Sequence, residues 1–166
     1  MTVNNAFYIL SGAFQYAIRK GYIIENAFDV LGNVTEKPHE LDTLKLLTTP
    51  QQFEVITDAM LGEEGDHFIE LIDRIHAMWQ AMPKTYETDG QGCAALAQLH
   101  YFTGGCDWWI VEKDADPDHA GQVQAFGVAD LGMGPEAGYI SIPELLENGA
   151  ELDLYFTPKR MGELLD

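Results

Sequence analysis

The sequence predicts an α+β chain. Its expected form is a helical N-terminal part packed on a C-terminal, mainly antiparallel sheet of four to five strands, with one or two short helices. Three observations carry this expectation. Apolar residues recur at helical spacing as far as Met82. After Pro83 the period falls to two. The alternating runs are joined by short turns, which suit hairpins better than the long crossovers of a parallel sheet. Residues 1–82 are expected to form the helical region and 83–166 an acidic sheet domain, as two parts or as one continuous core.

Asn4 or Asn5 can cap a first helix on which Phe7, Leu10, Phe14 and Ile18 line one face and Gly21 ends the run. Tyr8, Ile9 and Tyr16 widen that face. A short helix is expected from Ile24 to Leu31, stopped by Gly32-Asn33, and another from Glu40 to Leu47. Thr49-Pro50-Gln51-Gln52 is a helix start, with proline at the position where no amide hydrogen is needed. Phe53, Ile56, Met60 and Leu61 supply its stripe and Gly62 its end. Asp66 is expected to cap the longest helix. Its two overlapping stripes, Phe68-Ile72-Ile75-Trp79 and Leu71-Ile75-Met78-Met82, imply burial from two directions, and Pro83 stops it.

Strands are expected over Ala97 to Phe102, Asp107 to Glu112, Gln122 to Ala129, Gly138 to Ile142 and Leu152 to Phe156. Thr103-Gly104-Gly105 and Asp114 to Gly121 read as the intervening turns. Ser141 with Glu144 forms a capping box ahead of a short helix that ends at Asn148-Gly149, and Thr157-Pro158 opens a final helical turn.

The 166 residues carry 27 acidic and 9 basic side chains, a formal net charge of −18, yet 46% are apolar and 11% aromatic. So much apolar area excludes a disordered acidic tail. So few cations argue against direct nucleic-acid binding, because a phosphate backbone needs Lys and Arg to displace its counterions. The charge is uneven. Residues 85–166 hold 15 acidic and 3 basic side chains, net −12, leaving net −6 for residues 1–84. No apolar run is long enough to span a bilayer, and no basic residue precedes the apolar stretch from Ala6 to Phe14 as a secretory signal requires. Anionic lipid would repel such a surface. A cytoplasmic protein without a membrane partner is the expectation. Cys93 and Cys106 lack metal-ligand spacing and read as small, buried or half-buried apolar residues rather than a disulfide framework.

Several constellations bear on chemistry. Asp114, Asp116 and Asp118 with His119 suggest a calcium loop, but the sixth and twelfth positions hold His119 and Ala125 where an EF-hand needs Gly and Glu. A solvated hairpin loop is the better reading. Cys93, His100, Cys106 and His119 are zinc-ligand types without the close pairs that nucleate a structural site. Asp107, Glu112, Asp130 and Glu136 fall at strand ends, where carboxylates of a metal-dependent nuclease or hydrolase would gather, although uniform negative charge opposes a polyanionic substrate. Gly132-Met133-Gly134-Pro135 lacks the Gly-Lys-Ser/Thr of a phosphate loop. Trp108-Trp109 must point to opposite faces of their strand, so one of them is either a docking anchor or buried beneath a covering helix. No catalytic residue, metal ligand or cofactor is assigned.

The runs Leu99-His-Tyr-Phe102, Asp107-Trp-Trp-Ile-Val-Glu112 and Gln124-Ala-Phe-Gly127 stand in a fixed order. They are followed by Leu131-Gly132, Ala137-Gly-Tyr-Ile-Ser141, Glu144-Leu145, Glu151-Leu-Asp-Leu-Tyr-Phe156 and Pro158, and Met82-Pro-Lys-Thr-Tyr86 precedes them. Over about residues 82–166 this pattern resembles a bacterial family of unknown function carried by plasmids, integrative elements and phages, often beside conjugation and antirestriction genes. The resemblance implies a setting and no reaction.

Charge and resemblance together lead to an acidic accessory protein of a mobile element that binds a basic host or element-encoded protein, in an antirestriction or anti-CRISPR role. The expected interaction surface comprises Asp107, Trp108, Glu112, Asp114, Asp116, Asp118, Asp130 and Glu136. The alternatives are a metal-dependent nuclease or hydrolase using strand-end carboxylates, and a small-ligand or peptide-binding module.

Overall fold

The computed structural model describes residues 39–60 and 62–166. The helices expected from Asn4 to Gly21 and from Ile24 to Leu31 lie outside those residues. The chain is α+β and divides into two compact units. Of the described residues, 39–46 and 50–76 belong to the first, and 47–49 with 77–166 to the second.

In the first unit, α1 spans His39–Leu47, its last residue passing into the second unit, and α2 spans Pro50–Ala59. The proline stands at the first position of α2, where its missing N–H costs nothing. The chain turns out of α2 through the amide of Gly62, which donates to Ala59 O. Helix α3, Gly65–Ala81, runs across the boundary at residue 76. Asp66 lies inside its first turn rather than ahead of it, because the Glu64 carbonyl already receives the amides of His67 and Phe68. Leu41, Leu44, Ile56, Met60, Ile69, Leu71, Ile72 and Ile75 are buried, and Thr43 Oγ1 lies 2.8 Å from His76 Nδ1.

The second unit is built on a five-stranded antiparallel sheet in the order β5-β4-β3-β2-β6. Its strands are β2 Leu99–Thr103, β3 Cys106–Glu112, β4 Ala125–Asp130, β5 Pro135–Ile140 and β6 Glu151–Leu152. Strands β2 to β5 form a meander, and β6 returns to the free side of β2 after α4, Ile142–Glu147. Ser141 Oγ accepts the Glu144 amide at 3.4 Å, as the capping box predicts.

Two elements differ most from expectation. Leu152–Phe156 does not continue as a strand, because Asp153 turns the chain: its Oδ1 accepts the Tyr155 amide and its carbonyl the Phe156 amide. Thr157-Pro158 leads not into a helix but into β7, Lys159–Arg160, which pairs with β1, Leu96–Ala97, before α5, Met161–Leu165.

Pairing register sorts the side chains by face. Leu99, Tyr101, Ile110, Ala125, Ile140 and Leu152 are buried on one face, with Trp108 half-buried among their positions. The Tyr101 hydroxyl donates to Leu47 O at 3.0 Å, and burial pushes its phenol far above the ordinary tyrosine range. On the other face, Val111 and Val128 join Ala95, Ala97, Phe156 and Met161 in a second cluster. Trp109, Phe126, Leu164 and Leu165 pack against it.

A bulge between Ile110 and Glu112 changes the register of β3 against β4. Gly127 pairs with Ile110 there, and a Cβ at Gly127 would stand 1.9 Å from the Trp109 carbonyl oxygen, inside backbone that cannot yield. Gly127→Ala is therefore expected to cost about 3 kcal/mol, measured as a shift of the denaturant midpoint with an unchanged slope.

Candidate interaction surface

The bulge places Glu112 at the end of β3 with its carboxylate turned inward. Only 2% of the residue is exposed, and its two oxygens accept the amides of Tyr86 at 2.9 Å and Thr88 at 2.6 Å. A buried carboxylate must have such donors to offset its lost hydration. The same segment is stitched to the end of β3 through its main chain. The Lys113 amide donates to Pro83 O, the Thr85 amide to Lys113 O, and the Ala115 amide to Thr85 Oγ1. Lys113 Nζ donates to the carbonyls of Trp79 and Gln80 at the C-terminal end of α3, where a cation favourably faces the helix dipole.

Tyr86 is held by this clamp at φ 77, a left-handed conformation that a bulky residue rarely adopts. Its side chain is 64% exposed. Tyr139, on β5, is 58% exposed and donates its hydroxyl hydrogen to the Tyr86 hydroxyl oxygen at 3.2 Å. Tyr139 also meets Phe126 edge to face, with ring centroids 5.8 Å apart. The hydrogen bond to Tyr86 raises the Tyr139 phenol above the ordinary tyrosine value, followed by desolvation and by the negative charges of Asp89 and Glu112.

Asp114 is likewise internal, with 7% of the residue exposed. It accepts the amides of Asp116 and Gln124 at 2.9 Å each and faces His119 Nδ1 at 2.8 Å. Burial alone would raise its pKa, but those bonds outweigh it and hold the carboxyl below its ordinary value. Asp116 caps the short 3-10 turn Pro117–His119 by accepting the Asp118 amide, and both Asp116 and Asp118 are exposed. The loop is a closed hairpin connection. Gly121 completes it at φ 84, where a Cβ would stand 2.8 Å from the Trp79 ring.

Asp107 and Asp130 are cross-strand neighbours, a like-charge pairing that costs stability unless each is otherwise engaged. Both are. Asp130 Oδ1 accepts the amides of Gly132 and Gly134 in the β4–β5 turn. Asp107 Oδ1 lies 2.8 Å from His100 Nε2, whose Nδ1 lies 3.2 Å from Asp153 Oδ2. The His100 ring stacks on Trp109, centroids 5.2 Å apart and planes 9° from parallel.

The expected surface therefore separates. Glu112 and Asp114 leave it, because both residues are buried and backbone amides claim their carboxylates. Trp108 is half-buried on the face opposite Asp107. Asp116, Asp118 and Glu136 are exposed, and Asp107 and Asp130 are half-exposed. Asp107, Glu112 and Glu136 have separate surroundings and do not converge as strand-end carboxylates of a hydrolase must. Among the described residues, no three His, Cys, Asp or Glu side chains are grouped to hold a metal ion. Cys93 and Cys106 are free thiols; Cys106 is half-buried as expected, whereas Cys93 is exposed.

Sequence reasoning missed the Tyr86–Tyr139 pair and the two-sided engagement of His100. Tyr86–Tyr139 and His100–Asp153 each join residues 53 apart, and no local spacing signals such a contact. The only legible signs were Tyr139 on an alternating run and His100 on a strand. Comparison with protein-family models, curated proteins and solved structures finds no match. No helix among the described residues is long and apolar enough to cross a membrane.

Two outcomes test this geometry. Glu112→Gln, which replaces one acceptor oxygen with an amide group, is expected to lower stability by about 2 kcal/mol in denaturant unfolding. It should also speed hydrogen exchange at Thr88 or Tyr86. The lowered Asp114 pKa stabilises the folded state above the ordinary aspartate range, and that contribution is lost as pH falls through the lowered folded value. Amide exchange at Asp116 and Gln124, corrected for intrinsic rates, should accelerate across that acidic window. Asp114→Asn should abolish the dependence.

Proposed function

We propose that this chain is an acidic accessory protein of a mobile genetic element that acts by binding a basic protein. The observation that carries this reading is the unbalanced charge of residues 85–166, 15 acidic against 3 basic side chains on a folded sheet. Internal structure absorbs Glu112 and Asp114, while Asp116, Asp118 and Glu136 remain exposed. Such a field draws in a cationic partner from a distance and raises the rate of encounter. It disfavours direct contact with nucleic acid, whose phosphates it would repel.

The resemblance of residues 82–166 to a family carried by plasmids, integrative elements and phages supplies the setting. The partner's chemistry follows from the charge: a basic groove that ordinarily holds nucleic acid, such as that of a restriction or CRISPR component, in a cytoplasmic host. Carboxylates spaced along the loops and strand ends would stand where phosphates otherwise sit. The hydrolase alternative loses its main support because its proposed carboxylates are individually engaged or apart.

The test is capture of host-lysate proteins on the immobilised chain at low and high salt, with and without competing duplex DNA. Nucleic-acid-binding proteins should be retained at low salt and released both by salt and by the duplex. Retention of none at low salt would sink the reading.

A further inference from the structure

The exposed aromatic pair of the second unit has no role in its core, and its setting selects a kind of ligand. Tyr86 and Tyr139 meet through their hydroxyls while both side chains stay largely in solvent. Phe126 backs Tyr139 edge to face. Tyr139 lies on β5, which has a hydrogen-bonded neighbour on one side only among the described strands. Two carboxylates, of Asp89 and Glu112, act electrostatically on the Tyr139 phenol. The Glu112 clamp fixes the Tyr86 backbone, so one ring is presented from an anchored position. Aromatic faces within negative potential attract a flat, delocalised, weakly hydrated cation. A guanidinium meets that description better than an ammonium, because it can stack on a ring while donating to carboxylates at its rim.

We propose that Tyr86 and Tyr139 form the seat for an arginine side chain of the basic partner, with the Glu112 carboxylate fixing the Tyr86 backbone behind it. The proposal deepens the binding reading above and rests on it. It assigns short-range recognition to one aromatic pair, where charge alone would spread attraction over the whole surface. Anchors of this kind, aromatic and rigid, carry a large share of the energy in protein interfaces.

The probe is a fluorescently labelled hexa-arginine peptide, compared with hexa-lysine of the same length, titrated into the full chain at moderate salt. Long-range attraction is equal for the two peptides, so the difference between them reports short-range contact, and its loss in the tyrosine variants reports stacking. Tyr139→Ala and Tyr86→Gly keep the net charge, and the glycine relieves the positive φ. Each is expected to weaken hexa-arginine about threefold while changing hexa-lysine little. Tyr86→Phe keeps the ring and should retain the preference. Asp89→Asn should weaken binding of both peptides more than Glu144→Gln, an equal charge change on α4. Equal affinity of the two peptides for the native chain, or an arginine preference that survives Tyr139→Ala and Tyr86→Gly in chains with native near-ultraviolet dichroism, would overturn the proposal. The lysate capture stands apart from this outcome. A chain that retains basic proteins yet shows no arginine preference keeps the binding role and loses the seat.

Discussion

The second unit depends on the burial of one carboxylate. Glu112 sits at the end of the central strand β3, where the bulge beside Ile110 turns the chain and Gly127 lets the neighbouring backbone approach. A carboxylate group at 2% exposure is tolerated only with donors on its oxygens, and the amides of Tyr86 and Thr88 supply them. Those amides belong to the segment that follows Pro83. The same constraint that satisfies the charge therefore ties the end of α3 to the end of the central strand. Lys113, the next residue, completes the tie by donating to the last carbonyls of that helix.

This arrangement separates structural charge from surface charge. Asp114 is engaged by two amides and a histidine, Asp130 by the two glycine amides of a turn, and Asp107 by His100. The acidic loop from Asp114 carries residue types that ligate metals, yet its spacing reads as a hairpin loop. In the fold it is a hairpin connection whose carboxylates close on their own backbone. Asp116, Asp118 and Glu136 are left facing water. The chain thus spends some of its negative charge on fixing loops and projects the rest outward.

Much of the fold was legible because it is written locally. The change from helical period to alternation at Pro83 follows from side-chain geometry in the two structures, and β2 through β5 appear close to where the alternation places them. Pro50 and Ser141 mark helix starts because their chemistry is specific to those positions. The pairing of Leu96–Ala97 with Lys159–Arg160 was not legible. Two residues hold no period, and their partner lies more than sixty positions away. The early end of β6 was hidden for a similar reason, since Leu152, Leu154 and Phe156 alternate correctly while Asp153 captures the Tyr155 and Phe156 amides and bends the chain.

The sequence by itself determined the α+β class, the change from helices to strands at Pro83 and the concentration of negative charge after residue 84. Each is a property of composition or of spacing along the chain. Only the tertiary structure decided which carboxylates are buried and which face solvent, and it alone brought Tyr86 beside Tyr139 and Asp153 beside His100. The reason is physical. A carboxylate is the same letter whether it meets water or an amide, and its environment is set by strands and loops that approach one another only after the sheet has formed.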